Sequence, residues 1–206
     1  MKVLVTCGPT WVPIDRVRVI SNLSSGEMGH TLAQAFQQAG ASVTLLEGPV
    51  TRSLKTNRIR IVKFAFYEEL ARLLKKELRK PYAYVVHAAA VADYRLPKPY
   101  QGKLPSGQKA MNLKLVPTEK LITKIKKLCP TCCLIGFKLE PAGQPRELKT
   151  KARRLAKATG SDLVVVNILK PSYHAWLADR EGKVLARADS RLGITQKLVH
   201  TLKEQQ

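Results

Sequence analysis

A regular alternation of short apolar runs with longer amphipathic stretches limits the folds open to this chain. The apolar runs are typical of buried strands and lie at residues 2–6, 42–46, 59–64, 82–88, 132–137 and 163–166. The stretches between them have helical periodicity and lie at residues 28–39, 67–80, 120–128 and 146–158. Strands that alternate with helices of this length favour βαβ units. We therefore expect an α/β fold with a Rossmann-like, doubly wound and mostly parallel sheet.

Two places break this alternation. The first is a polar stretch rich in proline and glycine, which is too long for an ordinary connection, so we expect residues 94–111 to form a lid or a disordered excursion. Near the end, residues 174–178 and 183–188 predict a β-hairpin, which a helix at residues 194–203 follows. Because 206 residues suffice for one core and no linker is visible, we expect residues 1–206 to form a single domain.

The composition is that of an ordinary globular protein, with 45% hydrophobic and 25% charged residues. We expect a cytoplasmic protein, because no secretory leader precedes the first strand and no apolar run approaches the ~20 residues that span a bilayer. The thiols of Cys129, Cys132 and Cys133 should then be reduced. A metal site at these cysteines is the alternative, but the histidines lack ligand spacing, so we expect no metal ligands in the chain.

The charge balance is strongly basic, with 36 basic and 15 acidic residues and a net charge of +21. Such a surplus concentrates polyanions near the protein, whether nucleic acid, nucleotide or phosphorylated metabolite. It does not distinguish between them. Generic surface charge without a dedicated partner is an equally open interpretation.

The loop between the first strand and the first long helix carries the strongest candidate site. Ligands of doubly wound sheets bind beyond the carboxyl ends of the strands. Here Ser24, Ser25 and Gly26, followed by Gly29, place hydroxyls and free backbone N–H groups at a helix N-terminus, which suits a phosphate. The alternative is that a serine caps the helix and the glycines serve packing. The closely spaced glycines of a dinucleotide-binding fingerprint are missing.

Other strand ends add weaker candidates. Small residues at positions 88–90 allow a flat ligand to approach the backbone, and Asp93 is suited either to orient an amide or hydroxyl or to cap a turn. Phe137 and Asn167 end two later strands and are suited to stack a base or bind ribose or phosphate. The predicted lid offers lysines that could close over a triphosphate or simply lie at the surface: Lys98, Lys103 and Lys109.

These segments together resemble the phosphopantothenate–cysteine ligase family, also called phosphopantothenoylcysteine synthetase. Residues 20–29 read Ile-Ser-Asn-Leu-Ser-Ser-Gly-Glu-Met-Gly, and residues 90–95 read Ala-Val-Ala-Asp-Tyr-Arg. Both strings are specific to the family. The resemblance extends over nearly the whole chain through residues 5–10, 13–15, 135–137 and 162–167. The family occurs as a stand-alone protein or as the C-terminal half of bifunctional coenzyme A biosynthesis proteins.

The resemblance implies a ligase that joins 4'-phosphopantothenate to L-cysteine at the expense of a nucleoside triphosphate. The substrate carboxylate attacks the α-phosphate, releases pyrophosphate and forms an acyl nucleotidylate, from which the cysteine amine displaces the nucleoside monophosphate. The co-substrate is expected to be CTP, with ATP less favoured, together with Mg²⁺. The resemblance also implies a homodimer with no membrane or specific nucleic-acid partner. A separate decarboxylase protein is expected, because the family's flavin-dependent half is not in this sequence.

The resemblance also assigns roles to individual residues. Asn22 would bind the substrate and assist amide formation, and Lys103 would stabilise charge on the phosphates from the lid. Arg18 would reach across a dimer interface to the substrate's phosphate. The nucleotide would be bound by Gly8, Ser24, Gly26, Gly29, Asp93, Lys103, Phe137, Arg154, Lys157 and Asn167. The substrate would contact Asn22, Ala89, Ala90, Asp93 and Arg18.

The sequence departs from the family in places, and two other function classes remain in view. Residues 102–106 keep one lysine of the family's lid motif, and Pro9 replaces a glycine. A non-catalytic basic protein with this fold, binding nucleotide or nucleic acid, would explain the charge but not Asn22 or Asp93. An NAD(P)-dependent short-chain-type reductase is disfavoured, because the Tyr-x-x-x-Lys pair and the closely spaced glycines are absent.

Overall fold

The computed structural model describes residues 1–107, 109–141, 145–169 and 172–204. Its main strands are β1 (Lys2–Cys7), β4 (Ser42–Glu47), β5 (Arg60–Lys63), β6 (Tyr84–His87), β9 (Cys133–Glu140), β10 (Leu163–Ile168), β11 (His174–Asp179) and β12 (Val184–Ala188). Its helices are α1 (Glu27–Gln38), α2 (Tyr67–Glu77), α3 (Leu121–Leu128), α4 (Pro145–Thr159) and α5 (Arg191–Glu204). Two short hairpins pair β2 (Trp11–Pro13) with β3 (Val19–Ser21) and β7 (Tyr94–Arg95) with β8 (Val116–Pro117).

The main strands form one sheet in the order β12-β11-β10-β9-β6-β1-β4-β5. The strands from β10 to β5 run parallel, and β11 and β12 continue the sheet antiparallel as the predicted hairpin. Helices α1 and α5 pack on one face of the sheet, and α2, α3 and α4 pack on the other. The predicted doubly wound, mostly parallel α/β fold is confirmed.

The apolar run of β1 explains why this strand lies in the interior of the sheet, between β6 and β4. Val3, Leu4 and Val5 are all fully buried. Successive side chains of a strand point to opposite faces, so Val3 and Val5 pack below α1 and Leu4 packs below α2. A strand that is buried on both faces needs such a continuous apolar run, and its carboxyl end delivers residues 7–10 to the ligand-binding edge.

The sequence did not reveal the two short hairpins, and they change the description of residues 94–111. β7 begins this segment and pairs with β8, and Leu96 is buried beside Val12 and Ala92 in a small core. Strands of two or three residues are too short to show a period of two, so pattern analysis misses them. The described part of the segment therefore packs against the β2–β3 hairpin; Gln108 lies outside the described residues.

Within the described residues, no helix is long and apolar enough to cross a membrane. The four cysteines are free thiols, and three of them, Cys7, Cys129 and Cys132, are buried. Burial raises the pKa of the Cys132 thiol to about 12 and that of the Cys133 thiol to about 11. Both groups are therefore neutral thiols near pH 7.

Candidate functional site

A cavity of about 720 Å³ opens at the carboxyl edge of the sheet. It lies between the loop that leads into α1, the loop after β6, the segment that leads into α3, and the ends of β9 and β10. The cavity brings together residues that are far apart in sequence. The predicted site residues that line it are Asn22, Ser24, Gly26, Gly29, Ala89, Ala90, Asp93, Phe137 and Asn167.

The predicted phosphate cradle is a bend at Gly26 that opens α1. Gly26 precedes the helix with φ +75°, a conformation that favours glycine, and it offers no side chain to cap the helix. Glycine therefore takes the N-cap position that the packing alternative gave to a serine. Gly29 packs so tightly that a Cβ there would lie 2.2 Å from Cys7 Cβ. The Ser25 hydroxyl accepts a hydrogen bond from the first amide of α1, that of Glu27, at 3.4 Å. The start of the helix therefore offers this hydroxyl and the following backbone amides to an anion.

Asn22 connects this bend to the loop after β6. Its Nδ2 donates hydrogen bonds to the carbonyl oxygens of Ala90 and Val91, at 3.3 and 3.2 Å. Both amide hydrogens are thereby directed to backbone carbonyls, which orients the side chain at the cavity wall. No group among the described residues donates to Oδ1, so this oxygen can accept a hydrogen bond from a ligand.

Two buried threonines that the sequence analysis did not single out hold the loop after β6 in place. The Thr6 hydroxyl accepts a hydrogen bond from the Ala89 amide at 3.2 Å, and the Thr10 hydroxyl accepts one from the Ala92 amide at 2.9 Å. Both threonines are completely buried. Their hydroxyls satisfy amides that would otherwise lack partners, so the small-residue loop has a defined shape.

His87 forms the floor of the cavity at the end of β6. Its Nδ1 lies 3.0 Å from the Thr6 hydroxyl, and burial lowers its pKa to about 4. Burial disfavours the charged form, so the ring is neutral near pH 7. The floor thus contributes a hydrogen-bonding group without adding a positive charge.

The positive charge inside the cavity comes from residues that the sequence analysis missed. Lys120, Lys138 and Arg191 line the cavity. Lys120 Nζ forms an ion pair with the Asp93 carboxylate. Arg191 Nη1 lies 3.4 Å from Glu27 Oε2, and Arg191 Cζ lies 5.2 Å from the ring centroid of Tyr173. The sequence analysis predicted only a helix at residues 120–128, and no local pattern shows that Lys120 points into the cavity.

Several predicted residues are not among those that line the cavity. Arg154 and Lys157 are exposed on α4, whose Leu155 and Ala158 face the cavity instead. One residue turns an α-helix by about 100°, so neighbouring positions face different surroundings. The remaining predicted residues outside the lining are Gly8, Arg18 and Lys103. Their functional roles stay predictions.

Asp15 explains the positions of Arg18 and the described part of the 94–111 segment. Its carboxylate accepts hydrogen bonds from the Arg18 guanidinium at 2.6 Å and from the Leu104 amide at 3.0 Å. It also accepts from the amides of Val17 and Arg18, both at 2.8 Å. The backbone hydrogen bond from Leu104, followed by the other donors, lowers the pKa of Asp15 to about 2. Asp15 thus holds the backbone at Leu104, the residue after Lys103, beside Arg18.

We expect Asp15→Asn to lower the free energy of unfolding in a pH-dependent way. The pKa of the native carboxyl is about 2, below the ordinary value of 3.8. The stabilisation by the carboxylate is therefore fully present at pH values above 3.8. It is lost as the pH falls towards 2. Urea unfolding between pH 2 and 7 should show a gap between wild type and variant that is constant near neutrality and closes in acid. Glu181→Gln serves as a control, because Glu181 is exposed and its carboxylate has no ion pair among the described residues. An equal gap at all pH values would contradict the prediction.

One cluster of possible metal ligands lies beneath the cradle. The ligand atoms of Cys7, His30 and Glu47 lie within 4.8 Å of one another. The Glu47 carboxylate already accepts hydrogen bonds from His30 Nε2 at 2.7 Å, from the Ser53 hydroxyl and from the Leu54 amide at 3.1 Å. The cluster is not among the residues that line the cavity. Its hydrogen bonds account for the buried carboxylate.

The fold and the cavity define a class: a Rossmann-like α/β protein with a cavity at the carboxyl edge of its sheet and a glycine bend at the start of its first helix. The family model for the DNA/pantothenate metabolism flavoprotein C-terminal domain matches residues 1–204. The chain belongs to this family.

Individual relatives agree with this assignment. The chain is 41% identical over 171 residues to the coenzyme A biosynthesis bifunctional protein CoaBC of Thermococcus kodakarensis, a match that covers 82% of this chain and 41% of the relative. The chain therefore spans less than half the length of that relative. The DNA/pantothenate metabolism flavoprotein from Streptococcus pneumoniae has the same fold, with a TM-score of 0.88, 24% identity and full coverage of both chains.

A further solved structure with this fold is a histidine-to-alanine mutant of Cab2 in complex with phosphopantothenate-cysteine. Its TM-score is 0.76 at 18% identity, and the match covers 98% of this chain and 86% of that chain.

Proposed function

We propose that this protein is a phosphopantothenate–cysteine ligase that condenses 4'-phosphopantothenate with L-cysteine through an acyl-nucleotidylate intermediate. The proposal assigns CTP as the co-substrate and pyrophosphate as a product. Its support is the family, the similarity to a coenzyme A biosynthesis protein, and the arrangement of the cavity. The Cab2 complex with phosphopantothenate-cysteine is consistent with it.

The observation that carries the proposal is the meeting of three parts of the sequence in one cavity. The bend at residues 24–29, Asn22 and the loop at residues 88–93 line the same space. An acyl-nucleotidylate reaction needs a phosphate group and an acyl group to be held side by side. A cradle of backbone amides next to an oriented amide side chain provides both.

The residues of the chain act by binding and orientation. In the first step, a carboxylate oxygen of 4'-phosphopantothenate bonds to the α-phosphorus of CTP, and the bond to the pyrophosphate leaving group breaks. In the second, the cysteine amine bonds to the acyl carbon and releases CMP, while the amine loses a proton. Oδ1 of Asn22 would accept a hydrogen bond from the amine or from the amide that forms. The tether of Nδ2 to Ala90 and Val91 holds it in position.

The cavity suits a magnesium ion that arrives with the nucleotide. The carboxylates that line the cavity are Glu27, Asp93 and Glu119, and each already has a basic partner, Arg191, Lys120 and Lys124 respectively. Mg²⁺ is usually held by one or two carboxylates together with substrate phosphates and water. When bound, it would neutralise charge on the phosphates. Glu27, at the start of α1, is a candidate to hold it.

The proposal includes a cytoplasmic homodimer. Large apolar side chains are exposed around the β2–β3 hairpin, and Leu23 is fully exposed. Val17 and Val19 flank Arg18 and are 64% and 42% exposed. A second copy packed on this surface would cover these side chains and bring Arg18 near the partner's cavity. Arg18 would then contact the substrate's phosphate, as the family resemblance implies.

The alternatives explain less of the cavity. A non-catalytic basic protein would have no use for the tethered Asn22. A short-chain-type reductase would need the closely spaced glycines of a dinucleotide turn, whereas the two glycines with positive φ between β1 and α1, Gly8 and Gly26, are far apart in sequence. Neither alternative accounts for the family match over residues 1–204.

An assay with purified protein tests the proposal directly. Incubation with 4'-phosphopantothenate, L-cysteine, Mg²⁺ and CTP should release pyrophosphate and form phosphopantothenoylcysteine, detected by mass spectrometry. ATP in place of CTP should give a lower rate. Absence of pyrophosphate with either nucleotide would contradict the ligase assignment, and a preference for ATP would contradict the choice of CTP.

A further inference from the structure

The geometry points to Lys120 as a cation of the cavity wall that binds a phosphate of the ligands, in a role that the lid residue Lys103 was expected to have. This inference rests on the proposed function and specifies how the same site binds phosphate. In the absence of ligand, Asp93 pairs with Lys120. A phosphate group would replace this carboxylate as the partner of the ammonium group, or would bind the ammonium group alongside it.

Lys120 occupies a position where local stability favours a different residue. It is the N-cap of α3, provides no side-chain cap, and precedes a first turn without acidic residues. Serine, threonine, aspartate and asparagine are preferred at the N-cap, and a positive charge is unfavourable at the positive end of the helix dipole. When a residue that is unfavourable for helix stability lies at the wall of a cavity, ligand binding explains its presence better than folding does.

The backbone around Lys120 is held firmly against the loop that carries Asp93. The Thr118 amide donates to the Asp93 carbonyl oxygen at 2.8 Å, and its hydroxyl donates to the Ala92 carbonyl oxygen at 2.5 Å. The Tyr67 hydroxyl donates to the Glu119 carbonyl oxygen at 2.7 Å. These bonds hold the backbone at Asp93 and at residues 118–119 together, so the two side chains of the ion pair start from adjacent, fixed backbone positions before ligand arrives.

The ion pair is also accessible and easily exchanged. The side chains of Lys120 and Asp93 are 62% and 60% exposed, and both line the cavity. Exposed ion pairs contribute little net stability because water solvates both charges. A phosphate carries more charge and more acceptor oxygens than a carboxylate, so it can compete for the ammonium group.

Lys103 is in a different situation. It is exposed and is not among the residues that line the cavity, and the adjacent Leu104 is fastened to Asp15 and Arg18. Within one protomer, these hydrogen bonds hold the backbone next to Lys103 beside Asp15 and Arg18. Lys120 already lines the cavity.

The test compares Lys120→Gln with Lys124→Gln in the full chain. Lys124 lies one turn further along α3, carries the same charge, pairs with Glu119 at 2.7 Å and is not among the residues that line the cavity. Both variants lower the net charge equally. Calorimetric titrations with CTP and Mg²⁺, and separately with 4'-phosphopantothenate, distinguish the two sources of phosphate. Lys103→Gln and Lys120→Arg complete the set.

We expect Lys120→Gln to weaken binding of at least one of these ligands about tenfold, the range of a lost charge-assisted hydrogen bond. Lys124→Gln and Lys103→Gln should change affinity less than twofold, and Lys120→Arg should recover most of it. Affinity unchanged in Lys120→Gln, or a larger loss in Lys103→Gln or Lys124→Gln, would overturn the inference while leaving the ligase proposal intact. A wild-type protein that binds neither ligand would overturn both.

Discussion

Replacing Asn22 with aspartate should leave nucleotidylation largely intact and slow amide formation about a hundredfold, the effect expected when a reacting group is displaced by about 1 Å. The side chain is held by hydrogen bonds from Nδ2 to the carbonyl oxygens of Ala90 and Val91. Aspartate has no amide hydrogens, so its carboxylate would be repelled by these oxygens and would leave its position.

Separate measurement of the two steps checks this prediction. Pyrophosphate release in a single turnover without cysteine reports nucleotidylation, and cysteine-dependent release of CMP reports amide formation. Asn57→Asp is the matched control, because it makes the same chemical change at an exposed residue that is not among those lining the cavity. A variant at Asn22 that forms product at the wild-type rate would remove this residue from the mechanism.

Substituting alanine for Gly29 should lower the free energy of unfolding by about 3 kcal/mol, the upper part of the range for overpacking a core. The new Cβ would lie 2.2 Å from Cys7 Cβ and 3.3 Å from Cys7 Cα. Cys7 is completely buried at the end of β1, so neither backbone can move away easily. The start of α1 would shift from the sheet, and the cradle at Gly26 would shift with it.

Thermal unfolding is a convenient measurement for this variant. For a chain of this size, 3 kcal/mol corresponds to a Tm lower by about 6–12 °C. Gly193→Ala is the control: Gly193 is also helical, and an added Cβ would meet only side-chain atoms of Ser190 and Ala188, at 3.0 and 3.2 Å. If the two variants have similar Tm values, the tight contact between α1 and β1 is not what makes glycine necessary at position 29.

The predicted elements agree with the structure wherever a periodic pattern was long enough to read. Residues 28–39 were predicted as a helix and α1 spans Glu27–Gln38, while residues 163–166 were predicted as a strand and β10 spans Leu163–Ile168. These patterns arise because each element buries one or both faces against its neighbours. The short β2–β3 and β7–β8 hairpins carry no such pattern and became visible only in the structure.

Some residues of the candidate site were likewise predictable from the sequence, and others were found only in the structure. The bend at Gly26 was visible in the sequence because small residues before a helix have a local conformational meaning. Lys120, Lys138 and Arg191 were not visible, and Arg154 and Lys157 were expected at the cavity but lie exposed. A lysine or arginine is compatible with almost any surface position, so its residue type alone does not say which way it points.

By itself, therefore, the sequence determined the parallel sheet, the order of its helices and the bend that begins α1. These depend on the periodicity of apolar residues and on backbone conformations that few residues adopt, and both are local properties. Only the tertiary structure decided which charges face the cavity and how Asn22, Asp15 and Lys120 are held. Those outcomes depend on contacts between segments many residues apart, such as Thr118 with Asp93, which no local pattern encodes.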